Sequence, residues 1–523
     1  MTSPPQTTPL ALHEAATLYG DAPAVGDGAV RLSWSQLLDS VRETARALIA
    51  RGIQRGDRIA IWAPNTHHWV TAVLATHYVG AAVVPLNTRY VAAEAVDVLS
   101  RVNAKALFIA GEFLGRDRLA ELRAAAPDLA GIETAIVMPV EGEAPVEDAP
   151  GGPGNVIAWS ELGKLAEAVS LEEAVARAES VSPDDLSDIL FTSGTTGRSK
   201  GALIAHRQVL ASARAWADCA TLNSDDRYLI VPPFFHAFGY KAGILTSLVT
   251  GATIIPQAVF DLQQTMRLIQ EERITVLTGP PTIHQSILDH PGRAEADLSS
   301  LRVAVTGAAT VPVVLIERLR SELTFDVVLT AYGQTESGGF GTMCRPEDSS
   351  ETIANTCGRV IDGFEMKLAD NGELLLRSDQ VMLGYLDDPQ ATAATIDRDG
   401  WLHTGDVAVI DERGYMKVTD RLKDMYISGG FNVYPAEIEQ TMARLEGVAE
   451  TAVIGVPDER MGEVGKVYVV RRAGSNLTEE DVRDYAKSQL ANFKVPKYVE
   501  FRDGLPYNAA GKVLKRQLRE EKA

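Results

Sequence analysis

The run "FTSGTTGRSKG", Phe191 to Gly201, carries three threonines, two serines and three glycines and ends on Lys200 and Gly201. Glycines let a backbone turn successive amides toward one point, and hydroxyls add further donors. Lys200 supplies a positive charge, so the loop suits an anion, phosphate above all. It is not the P-loop of NTPases, which needs Gly-Lys-Ser/Thr where this chain has Ser199, Lys200 and Gly201. A Gly/Ser loop with no ligand is the alternative reading of the same residues.

Three further segments bear on the choice. "TAYGQTESG", Thr330 to Gly338, sets the hydroxyl of Thr335 beside the carboxylate of Glu336. That pair suits a phosphate contact next to Mg2+, an ion that takes one or two carboxylates and fills its shell with phosphate oxygens. "GWLHTGD" ends on Asp406, a carboxylate able to accept from ribose hydroxyls, and "PYNAAGKVLK" places Lys512 behind a glycine near the chain end. Each of these residues taken alone reads as an ordinary solvated side chain.

The elements that must position them follow from periodicity. "SWSQLLDSVRETARALIARG" has helical spacing and stops at Gly52, "DRIAIWAPN" is a short buried strand, and "HHWVTAVLATHYVGA" is a second helix. "AAVVPLN" and "KALFIAG" add strands, and the apolar "DVVL" precedes the Thr330 segment. Such alternation predicts an α/β fold, with parallel sheets flanked by helices. "PVEGEAPVEDAPGGPGN", Pro139 to Asn155, reads as a surface loop. Around 360 to 420 the pattern changes to short strands with glycine turns, and the hundred or so residues after "DRLKD" are enough for a small α+β domain.

Composition removes several function classes. A chain of 523 residues with Lys+Arg 50 and Asp+Glu 70 has a formal charge of −20, which opposes binding to nucleic acid and anionic lipid. Cys219, Cys344 and Cys357 are scattered without zinc spacing, as expected of thiols in a reducing compartment. No apolar stretch is long enough for a transmembrane segment, and the N-terminus lacks the layout of a signal peptide, so a cytoplasmic location is expected. Oligomeric state is left open, with a homodimer among the options.

Taken in order, these segments resemble the adenylate-forming superfamily of acyl-CoA synthetases, luciferases and peptide-synthetase adenylation domains. "GELLLRSDQVMLGYLDD", "DRLKDMYISGGFNVYPAEIE" and "TAVIGVPDERMGE" extend the resemblance over nearly the whole chain. It implies a large N-terminal domain over 1–421 with parallel sheets and a small β-barrel-like subdomain, a hinge at 422–424, and a mobile α+β lid over 425–523. It further implies ATP, Mg2+ and coenzyme A, and a two-step reaction in which a carboxylic acid becomes an acyl-adenylate and then an acyl-CoA.

By the same resemblance, Thr192, Ser193, Gly194, Thr195, Thr196, Gly197 and Lys200 hold the outer phosphates, with Thr195 and Glu336 at the metal. Thr335 meets the α-phosphate, Tyr332 stacks on adenine beside Gly333, Gly307 and Ala308, and Asp406 and Arg421 bind the ribose. Lys512 spans the acid carboxylate and the α-phosphate. Lys423 is the pivot that withdraws it and brings Ser428, Gly429 and Gly430 to the CoA channel. Tyr507 stands where many relatives carry Arg or Lys.

The acyl pocket is expected between "VPPFFHAFGYKAGIL", with His236, Phe238 and Gly239, and a glycine-rich wall of Gly307, Gly338 and Gly339. The first segment has no acidic residue to meet a substrate amine, which disfavours an amino acid. The small residues of the second wall, with Ala308 and Gly341 among them, suit a wide or cyclic acid. "APNTHHWV", "VVPLNTRY" and "AVTGAATVPVVLIERL" resemble actinobacterial ligases of steroid catabolism that activate the propanoate side chain of a bicyclic hydrindanedione acid. Lys241, Gln334 and Tyr240 are candidates to meet ring oxygens. The alternatives are a medium-chain or aromatic acid ligase, a luciferase-like oxygenase, and an adenylate-binding protein without turnover.

Overall fold

In the computed structural model the described residues are 4–127, 131–140, 155–192, 199–307, 311–421, 424–428, 431–458, 460–490, 492–507 and 512–521. They form two compact units, one of residues 1–365 with 377–402, the other of 366–376 with 403–523. Among them no helix is long and apolar enough to cross a membrane.

The first unit is built on two mixed sheets. In the nine-stranded sheet the strands Val327–Tyr332, Val303–Gly307, Val276–Gly279, Arg227–Ile230, Thr253–Pro256 and Pro23–Asp27 lie side by side and parallel, with antiparallel strands at both edges. The eight-stranded sheet has the parallel run Leu186–Thr192, Ala82–Pro85, Arg58–Trp62, Ala106–Ala110, Thr134–Met138 and Asn155–Ala158. These are the strands expected from "DRIAIWAPN", "AAVVPLN", "KALFIAG" and "DVVL". Continuous apolar runs such as Ala106–Ala110 are buried on both faces, as parallel strands covered by helices must be.

The helices start where capping chemistry allows. Ser33 and Gln36 exchange side-chain and backbone hydrogen bonds in a capping box at the head of Trp34–Ala50. The helix His67–Tyr78 is buried around nearly its whole circumference because it packs on strands of both sheets. Of the stretch Pro139 to Asn155, residues 141–154 lie outside the described residues.

At the ends of the strands away from Gly307 and Tyr332, Asp226 fastens the nine-stranded sheet. Its buried carboxylate accepts from Arg302 Nη2 at 2.6 Å, Thr275 Oγ1 at 2.7 Å and the Asn223 amide at 3.0 Å. Three strand ends are thereby fixed by one charge-assisted cluster.

The second unit holds two sheets. Glu365–Leu368, Glu373–Arg377, Leu402–Ile410 and Met416–Arg421 make a four-stranded sheet, where sequence suggested short strands with glycine turns. The other has Phe431–Val433, Tyr426–Ser428, Gly462–Arg471, Val448–Asp458 and Tyr498–Arg502, with Pro435–Met442 and Glu479–Gln489 packed on it over a core of Val453, Val467, Ile438 and Val482.

Three histidines of the first unit are buried and held neutral. Burial pushes the His206 imidazole down to about 3 and that of His284 to about 4, and holds His77 well below its ordinary value, with His206 adding to the effect. His77 Nε2 meets the Ser187 carbonyl at 3.0 Å, and Thr8 Oγ1 meets His206 Nδ1 at 3.1 Å. As pH falls below the ordinary value of about 6.5, the unfolded chain takes up protons that the folded chain refuses until far lower pH. Each such histidine therefore removes about 1.4 kcal/mol of stability per pH unit through that window. Urea unfolding of the full chain should show the midpoint falling steadily from pH 6.5 toward 4, with a shallower slope in His206→Gln; a flat profile would contradict the burial argument.

Candidate active site

Two strand ends and one hairpin set the site in the first unit. Gly307 and Tyr332 are the last residues of adjacent parallel strands, with Gly307 paired to Ala331. Crevices at the carboxyl ends of parallel strands are where open α/β sheets bind ligands. In the other sheet, Leu186–Thr192 and Lys200–Ala205 are antiparallel with Thr192 opposite Lys200, so the two ends of the phosphate-type loop are clamped together. Ser193 to Gly197 fall outside the described residues, as does Ala308. Arg101 Nη1 donates to the Ser199 carbonyl at 2.8 Å and its guanidinium lies over the Phe191 ring, bracing the base of that loop.

Tyr385 joins the two contributions. Its strand pairs with Lys200–Ala205, and the Lys200 ammonium lies 4.8 Å from the centroid of its ring. Its hydroxyl donates to Glu336 Oε1 at 2.8 Å. Burial, and then the Glu336 carboxylate beside it, push the phenol far above its usual range, so it stays a hydrogen-bond donor. The sequence reading gave Tyr385 no role, although it lies in the quoted "GELLLRSDQVMLGYLDD". A tyrosine 185 residues from Lys200 shows no pairing until the sheet edge is known.

Glu336 and Thr335 sit on a single turn of 3-10 helix, Thr335–Ser337, and both are half-buried. The turn folds back so tightly that a Cβ on Gly333 would lie 2.2 Å from the Gly339 carbonyl oxygen. Gly338 has φ +79°, and its Cβ would lie 2.6 Å from the Gln380 carbonyl oxygen. Both positions therefore exclude side chains, and the Met382 amide closes the turn on the Glu336 carbonyl at 2.9 Å.

The acyl-pocket residues meet this turn. His236 caps the short helix Ala237–Gly239, its Nδ1 accepting from the Phe238 amide at 3.3 Å. Its surface is exposed, yet enough protein surrounds it to hold the imidazole below its ordinary value, so it is neutral at pH 7. The chain continues as a π-helix, Tyr240–Leu245, a geometry found mostly at functional sites. The Tyr240 hydroxyl lies 3.3 Å from His77 Nε2 and 3.4 Å from Ser187 Oγ. A Cβ on Gly339 would touch Ala237 and Lys241 at 3.5 Å, so the two expected pocket walls are in contact. Phe238 and Phe340 both pack on Trp216, a residue that sequence reasoning did not single out.

In the second unit, register places Asp406 opposite Arg421 on neighbouring strands, with Asp406 buried. Arg421 is described by its backbone alone, and Lys423, Gly429 and Gly430 lie outside the described residues. Ser428 is buried at the end of its strand. Lys512 is exposed on the return of a hairpin closed by a bridge between Tyr507 and Val513 and by the Leu514 amide on the Pro506 carbonyl at 2.8 Å. Burial, then a hydrogen bond to Glu450, push the Tyr507 phenol up to about 12.

A profile described as AMP-binding enzyme matches residues 12–386, and one for the AMP-binding enzyme C-terminal domain matches 437–512. The chain belongs to the AMP-binding enzyme family. A Rhodococcus jostii protein named "3-[(3aS,4S,7aS)-7a-methyl-1,5-dioxo-octahydro-1H-inden-4-yl]propanoyl:CoA ligase" is 57% identical over 522 residues, covering 100% of both chains. A Mycobacterium tuberculosis protein of the same name is 57% identical over 516 residues, covering 98% of this chain and 99% of its own. Among solved structures, ATP-bound MatB from Rhodopseudomonas palustris aligns with a TM-score of 0.84 at 28% identity, over 99% of this chain and 98% of that one.

The hydrogen bond from Tyr385 ties Glu336 to the sheet edge that carries Lys200. Tyr385→Phe should leave the fold intact and lower the rate of adenylate formation about tenfold, the usual scale for losing one orienting hydrogen bond. Pyrophosphate release at saturating acid is the measurement, and an unchanged rate would remove Tyr385 from the site.

Proposed function

We propose that this protein is an ATP-dependent, AMP-forming acid:CoA ligase acting on the propanoate side chain of a bicyclic dioxo-indane acid, an intermediate of steroid breakdown. The observation that carries the reading is 57% identity, over the full chain, to two ligases named for that propanoyl group. The glycine-lined turn at Gly338 and Gly339 and the aromatic pair Phe238 and Phe340 support it, since they suit a broad, mostly hydrocarbon ring system.

In the first step the acid carboxylate attacks the α-phosphorus of ATP and pyrophosphate leaves, so the acid ends as a mixed anhydride with AMP. Charge builds on the α-phosphate oxygens, and the work of the protein is positioning and neutralisation. The loop from Thr192 to Lys200 is assigned the outer phosphates and Thr335 the α-phosphate. Tyr332, Gly333, Gly307 and Ala308 are assigned the adenine, with Asp406 and Arg421 on the ribose. His236, neutral at pH 7, is placed as neighbour of the acid carboxylate.

Mg2+ fits the Glu336 carboxylate, a hard oxygen donor that the Tyr385 hydroxyl holds in place. Glu336 and Thr195, the latter outside the described residues, would hold the ion, which would offset the phosphate charge.

In the second step the CoA thiol, giving up its proton, attacks the acyl carbonyl, and AMP leaves. Lys512 is assigned to the first step only, because the thiol must reach the same carbonyl from a direction one rigid lid does not open. We place the pivot at Lys423, within 422–424, separating 1–421 from 425–523, with Ser428, Gly429 and Gly430 delivered to the CoA channel.

The half-reactions separate the parts of this reading. Lys512→Ala should abolish pyrophosphate release while acyl transfer to CoA from a supplied acyl-adenylate persists within a fewfold. Equal loss in both steps would rule out the rotation. Rates of thioester formation over the dioxo-indane propanoate, octanoate and benzoate test the acid: a kcat/KM for either simple acid well above that of the bicyclic one would overturn the choice.

A further inference from the structure

The segment "VPPFFHAFG", Val231 to Gly239, has few means of holding itself, because Pro232 and Pro233 stand side by side and neither carries a backbone N–H. Its first turn must be tied from outside. The tie is Asn65, within "APNTHHWV", a side chain only 4% exposed. Its Nδ2 donates to the Pro232 carbonyl at 3.0 Å and the Ile230 carbonyl at 3.2 Å, and its Oδ1 accepts from the Phe234 amide at 2.7 Å. Two carbonyls on one side and an N–H on the other fix which end of the amide is which. The Ile230 carbonyl also accepts from the Gln257 amide at 3.2 Å, whereas the Pro232 carbonyl and the Phe234 amide are met by Asn65.

Asn65 follows the strand Arg58–Trp62 of the eight-stranded sheet, and Ile230 ends the strand Arg227–Ile230 of the nine-stranded one. One side chain thus joins the carboxyl ends of strands from both sheets. Further along, the helix His67–Tyr78 meets the same segment through side chains: Trp69 packs on Phe234 at 5.2 Å and on Tyr240 at 6.0 Å, and His77 Nε2 lies 3.3 Å from the Tyr240 hydroxyl. Asn65 differs from these in holding backbone. That matters because a Cβ on Gly239 would collide with the carbonyl oxygens of both Pro232 and Pro233, and the His236 amide donates to the Pro233 carbonyl at 3.0 Å. A shift of the proline turn is therefore passed directly to His236, Phe238 and Gly239.

We propose that Asn65 is a positioning residue for the acid: by holding the proline turn it sets where His236 and Phe238 meet the substrate. This rests on the assignment of His236 and Phe238 to the acid side given above. Asn65 touches no substrate itself. Its contribution is therefore read in binding and alignment of the acid and leaves the nucleotide side unmoved.

Two variants separate its hydrogen bonds from its volume. Asn65→Asp keeps the shape and the acceptor for the Phe234 amide but turns an oxygen toward two carbonyls. Asn65→Ala removes volume and leaves room for a water to bond the freed groups. Steady-state thioester formation from the dioxo-indane propanoate gives KM for the acid at saturating ATP and KM for ATP at saturating acid, with folding checked by circular dichroism. Asn65→Asp should raise the KM for the acid about tenfold to a hundredfold, the scale for misplacing a positioning group by an ångström, and Asn65→Ala should raise it less. The KM for ATP should stay within about twofold in both. A residue that only filled space would rank the two variants the other way, and that order would overturn the inference. So would equal changes in the two KM values, or no change in a folded variant. If Asn65→Asp does not fold, the split between the two KM values in Asn65→Ala decides. If the wild-type chain turns over another acid and not the dioxo acid, the choice of acid falls, and the same split measured with the acid it uses decides the role of Asn65.

Discussion

The hydrogen bond from Tyr385 to Glu336 is the constraint on which the site of the first unit depends. The phosphate-type loop grows from one sheet, and the strand ends at Gly307 and Tyr332 grow from the other. Tyr385 belongs to the edge of the first sheet by backbone pairing and to the turn of the second through its hydroxyl. Because its phenol keeps its proton, the contact has one polarity at any working pH, with oxygen donating and carboxylate accepting. Around it the chain has given up side chains: Gly333 and Gly338 exist so that the backbone can approach itself.

The segment around Tyr240–Leu245 is organised by a different principle. Its wall is a π-helix anchored beneath by polar groups, His77, Ser187 and Tyr240, and faced by aromatic rings. A π-helix is held by its surroundings more than by its own hydrogen bonds, so this wall depends on the buried polar groups below it. Those groups come from the helix His67–Tyr78 and the strand Leu186–Thr192, which also ends at the phosphate loop. The segment proposed as acyl wall and the loop from Thr192 to Lys200 thus share one strand.

Much of this was legible in the sequence. Helical spacing gave Trp34–Ala50 and His67–Tyr78 nearly to the residue, and the short apolar runs gave the parallel strands, because local periodicity is imposed by burial on one face or both. Tyr385 and Trp216 were not legible, since what makes each informative is a partner far away in the chain: Glu336 for one, the ring of Phe340 for the other. Periodicity marks Trp216 as a core residue and stops there. The grouping of 366–376 with 403–523 was equally hidden, since strand pairing between Glu373–Arg377 and Leu402–Ile410 is a property of the sheet and not of either segment.

That grouping has a consequence inside the second unit. The four-stranded sheet and the segment after Asp424 belong to one compact unit, and the buried Asp420 carboxylate accepts from the Ala436 amide at 3.0 Å. Asp420 lies near the end of one sheet's last strand and Ala436 opens the helix packed on the other sheet, so one carboxylate couples the two sheets, and neutralising it would loosen them together.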